Sequence, residues 1–240
     1  MSGGIADRRQ RLYANYATTH SGKKTGLDEA RLFARDILPH LPQGRRGEHV
    51  VIDVGCGQGR LIEQLLSHGY TLARGIDISP EQIELARAAG VANVECGDYK
   101  QLLERRAGAC TAVVATDFLE HFSKDEILPI FDQVKTALVS GGVFIVRSPN
   151  ATSPFFGNYQ YGDFTHEVTF TPRSFAQLAA AAGFSRTEAF ACPPMVHGCK
   201  SAVRAAIWSV GSSLLRVALA AETGRTNHIV TQNFVGVATT

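Results

Sequence analysis

The chain has 240 residues, 45% of them hydrophobic and 19% charged, a balance that lets a globular domain bury a core without disulfides or structural metals. Its net charge of +2 lacks the basic excess of a protein built to grip nucleic acid, which is not expected as a partner. The five cysteines, odd in number and mostly far apart, fit reduced thiols, and with no secretory signal in the opening residues the cytoplasm is the expected compartment.

Taken in order, residues 1–48 read as an N-terminal helical cap, with Tyr13, Tyr16 and His20 as lid candidates. Its main element is an amphipathic helix from Leu27 to Leu38, with Leu32, Ala34 and Ile37 toward the core. Residues 49–240 then alternate between strand and helix patterns. Apolar runs at His49–Val54, Tyr70–Ile76, Val91–Cys96, Cys110–Ala115 and Val143–Val146 read as strands. Helices are expected at Gly59–Ser67, from the N-cap Ser79-Pro80, from Ser123 with Glu126 in capping-box spacing, and from Thr171-Pro172 to Gly183. Gly141-Gly142 is expected to close the Ser123 helix, and His228–Ala238 to add an edge pair to the sheet. This alternation predicts an α/β fold, doubly wound and Rossmann-like, with a mostly parallel seven-stranded sheet and helices on both faces.

Two stretches break the alternation. Residues 148–170 form a long connection rich in polar and aromatic residues, of the length that usually carries function. Phe155, Phe156, Tyr159 and Tyr161 suit stacking on a ring or sugar, and Asn150, Asn158 and Asp163 suit hydrogen bonding to it. Residues 201–220 form a helix with Val203, Ile207, Val210, Leu214 and Val217 on one stripe. Such a stripe packs on the domain, on a second copy as a homodimer, or on a membrane surface; between Arg204 and Arg216 it is too short to span a bilayer.

The strongest local signal is Val51-Ile52-Asp53-Val54-Gly55-Cys56-Gly57-Gln58-Gly59. A strand runs into three alternating glycines, which let the backbone turn tightly and a ligand approach the main chain. Asp77 ends the next strand, placed to accept hydrogen bonds from ribose hydroxyls. A nicotinamide-binding protein would use an acid there too. Three features point elsewhere: G-x-G-x-G rather than G-x-G-x-x-G, Asp53 within the strand, and a third acidic turn, Cys96-Gly97-Asp98-Tyr99.

From about Val50 to Phe122, and more loosely to Gly183, these ordered motifs resemble class I S-adenosylmethionine-dependent methyltransferases. The resemblance implies that Gly55, Cys56, Gly57 and Gly59 line the methionine part of the cofactor. It places Asp77 on the ribose, Ile78 on adenine, Asp98 with Tyr99 at the adenine amino group, and Asp53 at the loop or the cofactor amino group.

Asp117, Glu120 and His121 stand at i, i+3 and i+4, one side of a helical turn, and Asp163-Phe164-Thr165-His166-Glu167 follows downstream. Carboxylates with imidazoles suit Mg²⁺, Mn²⁺, Zn²⁺ or Fe²⁺. The motif is similar to the metal-binding E-x-x-E-H of ubiquinone-pathway and small-RNA 3′-end O-methyltransferases. That resemblance implies a metal set of Asp117, Glu120, His121 and His166, with Asp117 one methylene shorter than the family's Glu. In the metal-free alternative His121 or His166 is the general base, with Glu120 beside it and Asp117 near the cofactor. The S-P-N segment, the D-x-T-H segment and the F-T helix start loosely resemble methyltransferases of surface-polysaccharide and nucleotide-sugar pathways. The expectation is O-methylation of a small-molecule or glycan acceptor, at a sugar hydroxyl. The alternatives are a phenolic or quinone-pathway ring and an RNA 3′-end 2′-hydroxyl. Cys192, His197 and Cys199 match no common zinc spacing and are expected to be structural.

Overall fold

A computed structural model describes residues 26–240; the lid candidates Tyr13, Tyr16 and His20 lie outside the described residues. The seven strands are β1 (Val51–Val54), β2 (Arg74–Asp77), β3 (Val94–Cys96), β4 (Cys110–Thr116), β5 (Leu138–Pro149), β6 (Arg186–Ala191) and β7 (Asn233–Thr239). They form one sheet in the order β3-β2-β1-β4-β5-β7-β6. The first five run parallel, and β7 pairs antiparallel with both β5 and β6. This is the expected doubly wound architecture. Strand β1 is buried along its whole length, which is why it reads as an unbroken apolar run rather than an alternation.

Helices cover both faces: α1 (Gly26–Leu32), α2 (Arg60–Ser67), α3 (Pro80–Ala88), α4 (Tyr99–Arg105), α5 (Lys124–Ala137), α6 (Gly157–Gln160), α7 (Pro172–Ala181) and α8 (Cys199–Thr223). One apolar cluster gathers Ile52, Val113, Phe131, Phe144, Phe175 and Phe234; the other gathers Val51, Ile62, Leu65, Tyr70, Val114 and Ile145. Consecutive residues of β1 feed opposite clusters, as a period of two requires. Each such side chain contributes about 1.5–3 kcal/mol on full burial. The predicted helix starts hold: the Ser79 side chain accepts from the Gln82 N–H, Thr171 caps α7 through the Ser174 N–H at 3.1 Å, and the Glu126 carboxylate accepts from the Ser123 N–H at 2.9 Å.

Three expectations are corrected, and one strand was not foreseen. The first helix does not run evenly to Leu38. After Leu32 it widens into a π turn (Phe33–Ile37) and then tightens into a 3-10 turn (Leu38–His40). The changed pitch buries Phe33, Asp36 and Ile37 and leaves Ala34 exposed. Gly141-Gly142 does not close α5, which ends at Ala137; Leu138, itself buried, pairs with Cys110 and begins β5. Gly141, at φ +75°, serves a shift of register within that strand. The last strand lies inside the sheet rather than at its rim, because Phe234, Val235, Val237 and Ala238 are buried on both of its faces. The rim is the unforeseen β6, whose exposed, charged Arg186 and Glu188 hide its strand character in the sequence.

Candidate active site

The chemistry gathers where strands β1, β2, β4 and β5 end, the edge at which open α/β sheets bind ligands. The glycine loop is tied back to β2: the Gly55 and Cys56 N–H groups donate to the Ile76 carbonyl at 2.9 and 3.0 Å. Asp77 bridges the two turns, accepting from the Gly57 N–H through Oδ2 and the Ser79 N–H through Oδ1, both at 2.8 Å. Burial pushes its carboxyl above the usual range, and the two N–H bonds hold it back.

A cleft of about 290 Å³ opens beside this loop. Its walls include Gly55, Gly57, Asp77, Ile78, Asp98, Tyr99 and Asp117. Ile78 stands 68% exposed on the rim. Asp98 caps α4, accepting from the Lys100 N–H at 2.9 Å. Tyr99 meets Phe118 and Phe122 edge-on, at ring-centroid distances of 5.4 and 5.8 Å. Phe118, Phe122 and Gln82 are cleft residues that sequence reasoning missed. The i, i+4 spacing of the two phenylalanines was the available signal.

Three expected cofactor residues stand behind the cleft rather than in it. Cys56 turns into the core, where burial raises its thiol pKa strongly, helped by Asp53 and Asp77. Its side chain packs where Gly75 has no Cβ: one built there would lie 2.7 Å from the Cys56 Cβ. Gly59, at φ +71°, starts α2 and packs under Val91 and Val94. Asp53 is buried beneath the loop, and its Oδ1 finds no hydrogen-bond partner among the described residues. Burial, and then the Asp77 charge, raise its carboxyl well above the ordinary value.

The predicted metal set splits. Asp117 takes a left-handed backbone, φ +50°, and its two carboxylate oxygens lie 2.6 and 2.7 Å from Arg147 Nη1. A left-handed aspartate persists where its surroundings over-determine it, and here the guanidinium does so. Only Leu119–His121 then form a 3-10 turn, so the i, i+3, i+4 cluster of a regular helix never forms and Asp117 is turned away. Glu120, His121 and His166 do converge, with one ligand atom from each lying within 4.8 Å of the others.

Hydrogen bonds set the protons on these imidazoles. Thr165 Oγ1 donates to Asp163 Oδ1 at 2.6 Å, so toward His121 Nδ1, 2.8 Å away, it accepts. The His121 proton therefore sits on Nδ1 and the lone pair on Nε2. His166 Nδ1 lies 2.7 Å from the Tyr159 carbonyl, which can only accept, so Nδ1 carries a proton, and Nε2 lies 3.9 Å from Asp163 Oδ2. Burial and the neighbouring His166 hold the His121 pKa down to about 4, keeping it neutral. Glu120 is buried; burial and the Asp117 charge raise its pKa to about 8, and the Ser148 hydroxyl donates to it at 3.2 Å.

A second cavity of about 350 Å³ lies over this cluster. It shares Asp117 and His121 with the first and is walled by Arg147, Pro149, Asn158, Tyr159, Asp163 and Asn233. The connection 148–170 thus walls this cavity, but with fewer residues than expected. Asn150 is buried and donates to the Ile229 and Thr231 carbonyls at 2.8 Å each, while Phe155, Phe156 and Tyr161 face solvent. Cys192, His197 and Cys199 form no metal-ligand group among the described residues.

Comparison with known proteins agrees with this geometry. A family model described as "Methyltransferase domain" matches residues 27–189. Ubiquinone biosynthesis O-methyltransferase of Xylella fastidiosa is 30% identical over 135 residues, covering 48% of this chain and 54% of that protein. The protein of the same name from Burkholderia pseudomallei is 34% identical over 100 residues, 40% of each chain. The chain thus spans about half, or less, of the length of these relatives. An S-adenosylmethionine-dependent methyltransferase from Archaeoglobus fulgidus superposes with a TM-score of 0.68 at 20% identity, covering 95% of this chain and 99% of the other. That similarity is one of fold.

Proposed function

The chain belongs to the methyltransferase-domain family, and from that premise we propose that it moves a methyl group from S-adenosylmethionine to a hydroxyl oxygen on a phenolic, quinone-precursor-like ring. The observation that carries this reading is the joint between the two cavities: the Glu120–His121–His166 cluster faces the second and adjoins the first through His121 and Asp117.

The residues fit the cofactor. Gly57, with open space where a Cβ would stand, offers bare backbone. The Asp77 carboxylate keeps lone pairs beyond the two it gives to N–H groups, enough for vicinal ribose hydroxyls. The unsatisfied Oδ1 of Asp53 suits a cationic amine approaching the loop. When bound, S-adenosylmethionine supplies an already electrophilic methyl sulfonium. The protein's part is then alignment, which can supply much of the acceleration, and removal of the acceptor's proton.

For the proton, the His121 and His166 imidazoles and the Glu120 carboxyl each bring one ligand atom to the same space. This donor set also fits a divalent cation: both imidazoles have their tautomer set by hydrogen bonds through Nδ1, as metal-ligating histidines do, and the buried Glu120 carboxylate gains from a positive partner. Mn²⁺, Fe²⁺ and Zn²⁺ suit two imidazoles and a carboxylate better than Mg²⁺, which prefers oxygen ligands. Held there, such an ion would act as a Lewis acid that lowers the pKa of the acceptor hydroxyl. Asn158 and Tyr159 orient the acceptor, and Arg147 holds Asp117 at the boundary between the cavities.

The ring acceptor ranks above the sugar or glycan hydroxyl expected from the loop pattern. The relatives' names supply the reason, together with the outward turn of Phe155, Phe156 and Tyr161, which removes three of the expected stacking residues. The test is transfer of labelled methyl to catechol against a free sugar, with and without EDTA and with added Mn²⁺. Catechol methylation that EDTA abolishes and Mn²⁺ restores is expected; methylation of the sugar alone would overturn the ring reading.

A further inference from the structure

Helix α8 is apolar on both of its faces, unlike an ordinary surface helix. Its buried residues are Ser201 and Ser212, and the partly buried Ala205, Trp208, Leu215 and Leu219 continue that face at helical spacing. On the opposite side Val203, Ile207, Val210, Leu214 and Val217 are each 60–70% exposed. A surface helix of a free-standing domain points its apolar stripe inward, and a contiguous exposed one marks an interaction surface.

We propose that α8 lies flat on an anionic phospholipid surface with this stripe in the acyl boundary. From Cys199 to Ala221 every charged residue is basic, Lys200, Arg204 and Arg216, followed by Glu222 and then Arg225. Cations beside an apolar stripe are the chemistry of an interfacial helix on anionic lipid. The helix is long and apolar enough to cross a membrane, but Arg204 and Arg216 leave only 11 uncharged residues between them, against about 20 for a span. A second copy suits the stripe less well. Antiparallel pairing centred on Val210 sets Arg204 opposite the partner's Arg216, and parallel pairing sets like residues together, so either arrangement opposes like charges.

Topology adds a direction. Ala191 pairs with Phe234 and Asn233 with Pro149, so the segment carrying α8 leaves and re-enters the sheet at the end of β5 that walls the acceptor cavity. Lipid docking stands whether or not the acceptor is a phenolic ring.

The test is flotation of the full chain with vesicles of phosphatidylcholine alone or with about one-third phosphatidylglycerol, at low and at molar salt. Binding to the anionic vesicles that falls about tenfold in high salt, and about tenfold in the double variant Ile207→Glu, Leu214→Glu, is expected. The melting curve of that variant should match the parent, because both side chains are exposed. Sedimentation without lipid provides the second measurement. The proposal is overturned if the parent floats with neither vesicle, or if the variant floats as the parent does. It is equally overturned by a lipid-indifferent dimer that the variant converts to monomer, which would assign the stripe to a second copy.

Discussion

Replacing Gly57 and Gly59 separately with Ala separates what the loop does for binding from what it does for folding. Both residues have left-handed backbones, φ +49° and +71°, and an L-residue there costs about 1–2 kcal/mol. Around Gly57 nothing stands closer to a built Cβ than Gln82 Oε1 at 4.0 Å, and the residue lines the cleft. Gly57→Ala therefore loses only the backbone cost, roughly 2–8 °C in Tm for a domain of this size. Its methyl group, however, occupies cleft space against the bound cofactor. Affinity for S-adenosylhomocysteine should drop at least tenfold, or about 1.4 kcal/mol. Around Gly59 the built Cβ meets Val91 at 3.0 Å, Val94 at 3.2 Å and Ala86 at 3.4 Å. Gly59→Ala adds an overpacking cost of about 1–3 kcal/mol and melts lower still, while the protein that remains folded binds within about threefold of the parent, a few tenths to 0.7 kcal/mol. Calorimetric titration beside thermal melts measures both quantities. If Gly57→Ala binds as the parent does, or if the two variants lose affinity equally at matched folded fraction, the cofactor does not lie over this turn.

Three further outcomes follow from the site and its supports. Asp53→Asn should raise Tm at pH 8. A carboxyl whose folded pKa is raised contributes stability below its unfolded value, near 4, and loses it as pH climbs toward the folded one; the gap over the parent should shrink as pH falls toward 4, and a gap that widens instead refutes the sign. Thr165→Val removes the acceptor that holds the His121 Nδ1–H and should weaken Mn²⁺ binding about 10- to 100-fold without changing S-adenosylhomocysteine affinity; unaltered Mn²⁺ titration would remove the relay from the site. Thr171→Ala deletes the α7 cap at about 1 kcal/mol, or about 2–4 °C, read by thermal melting; no shift would mean that solvent serves the Ser174 N–H equally well.

Where a residue's role is local, it was legible in the chain itself. The loop Gly55-Cys56-Gly57-Gln58-Gly59, the Asp77 that closes the second strand and the caps Ser79, Ser123 and Thr171 act on neighbours within a few positions, so composition and spacing carry them. The strand–helix alternation likewise determined the five parallel strands of the sheet, since period-two and unbroken apolar runs reflect burial on one or two faces. Tertiary structure alone decided what depends on distant partners. Arg147, thirty residues away, takes Asp117 out of the expected metal set, and Thr165 sets the His121 proton from the far side of the acceptor loop. The outward stripe of α8 was equally hidden: spacing reveals that Val203, Ile207, Val210, Leu214 and Val217 share a stripe, but the direction a stripe points is fixed only by the surface the helix lies on.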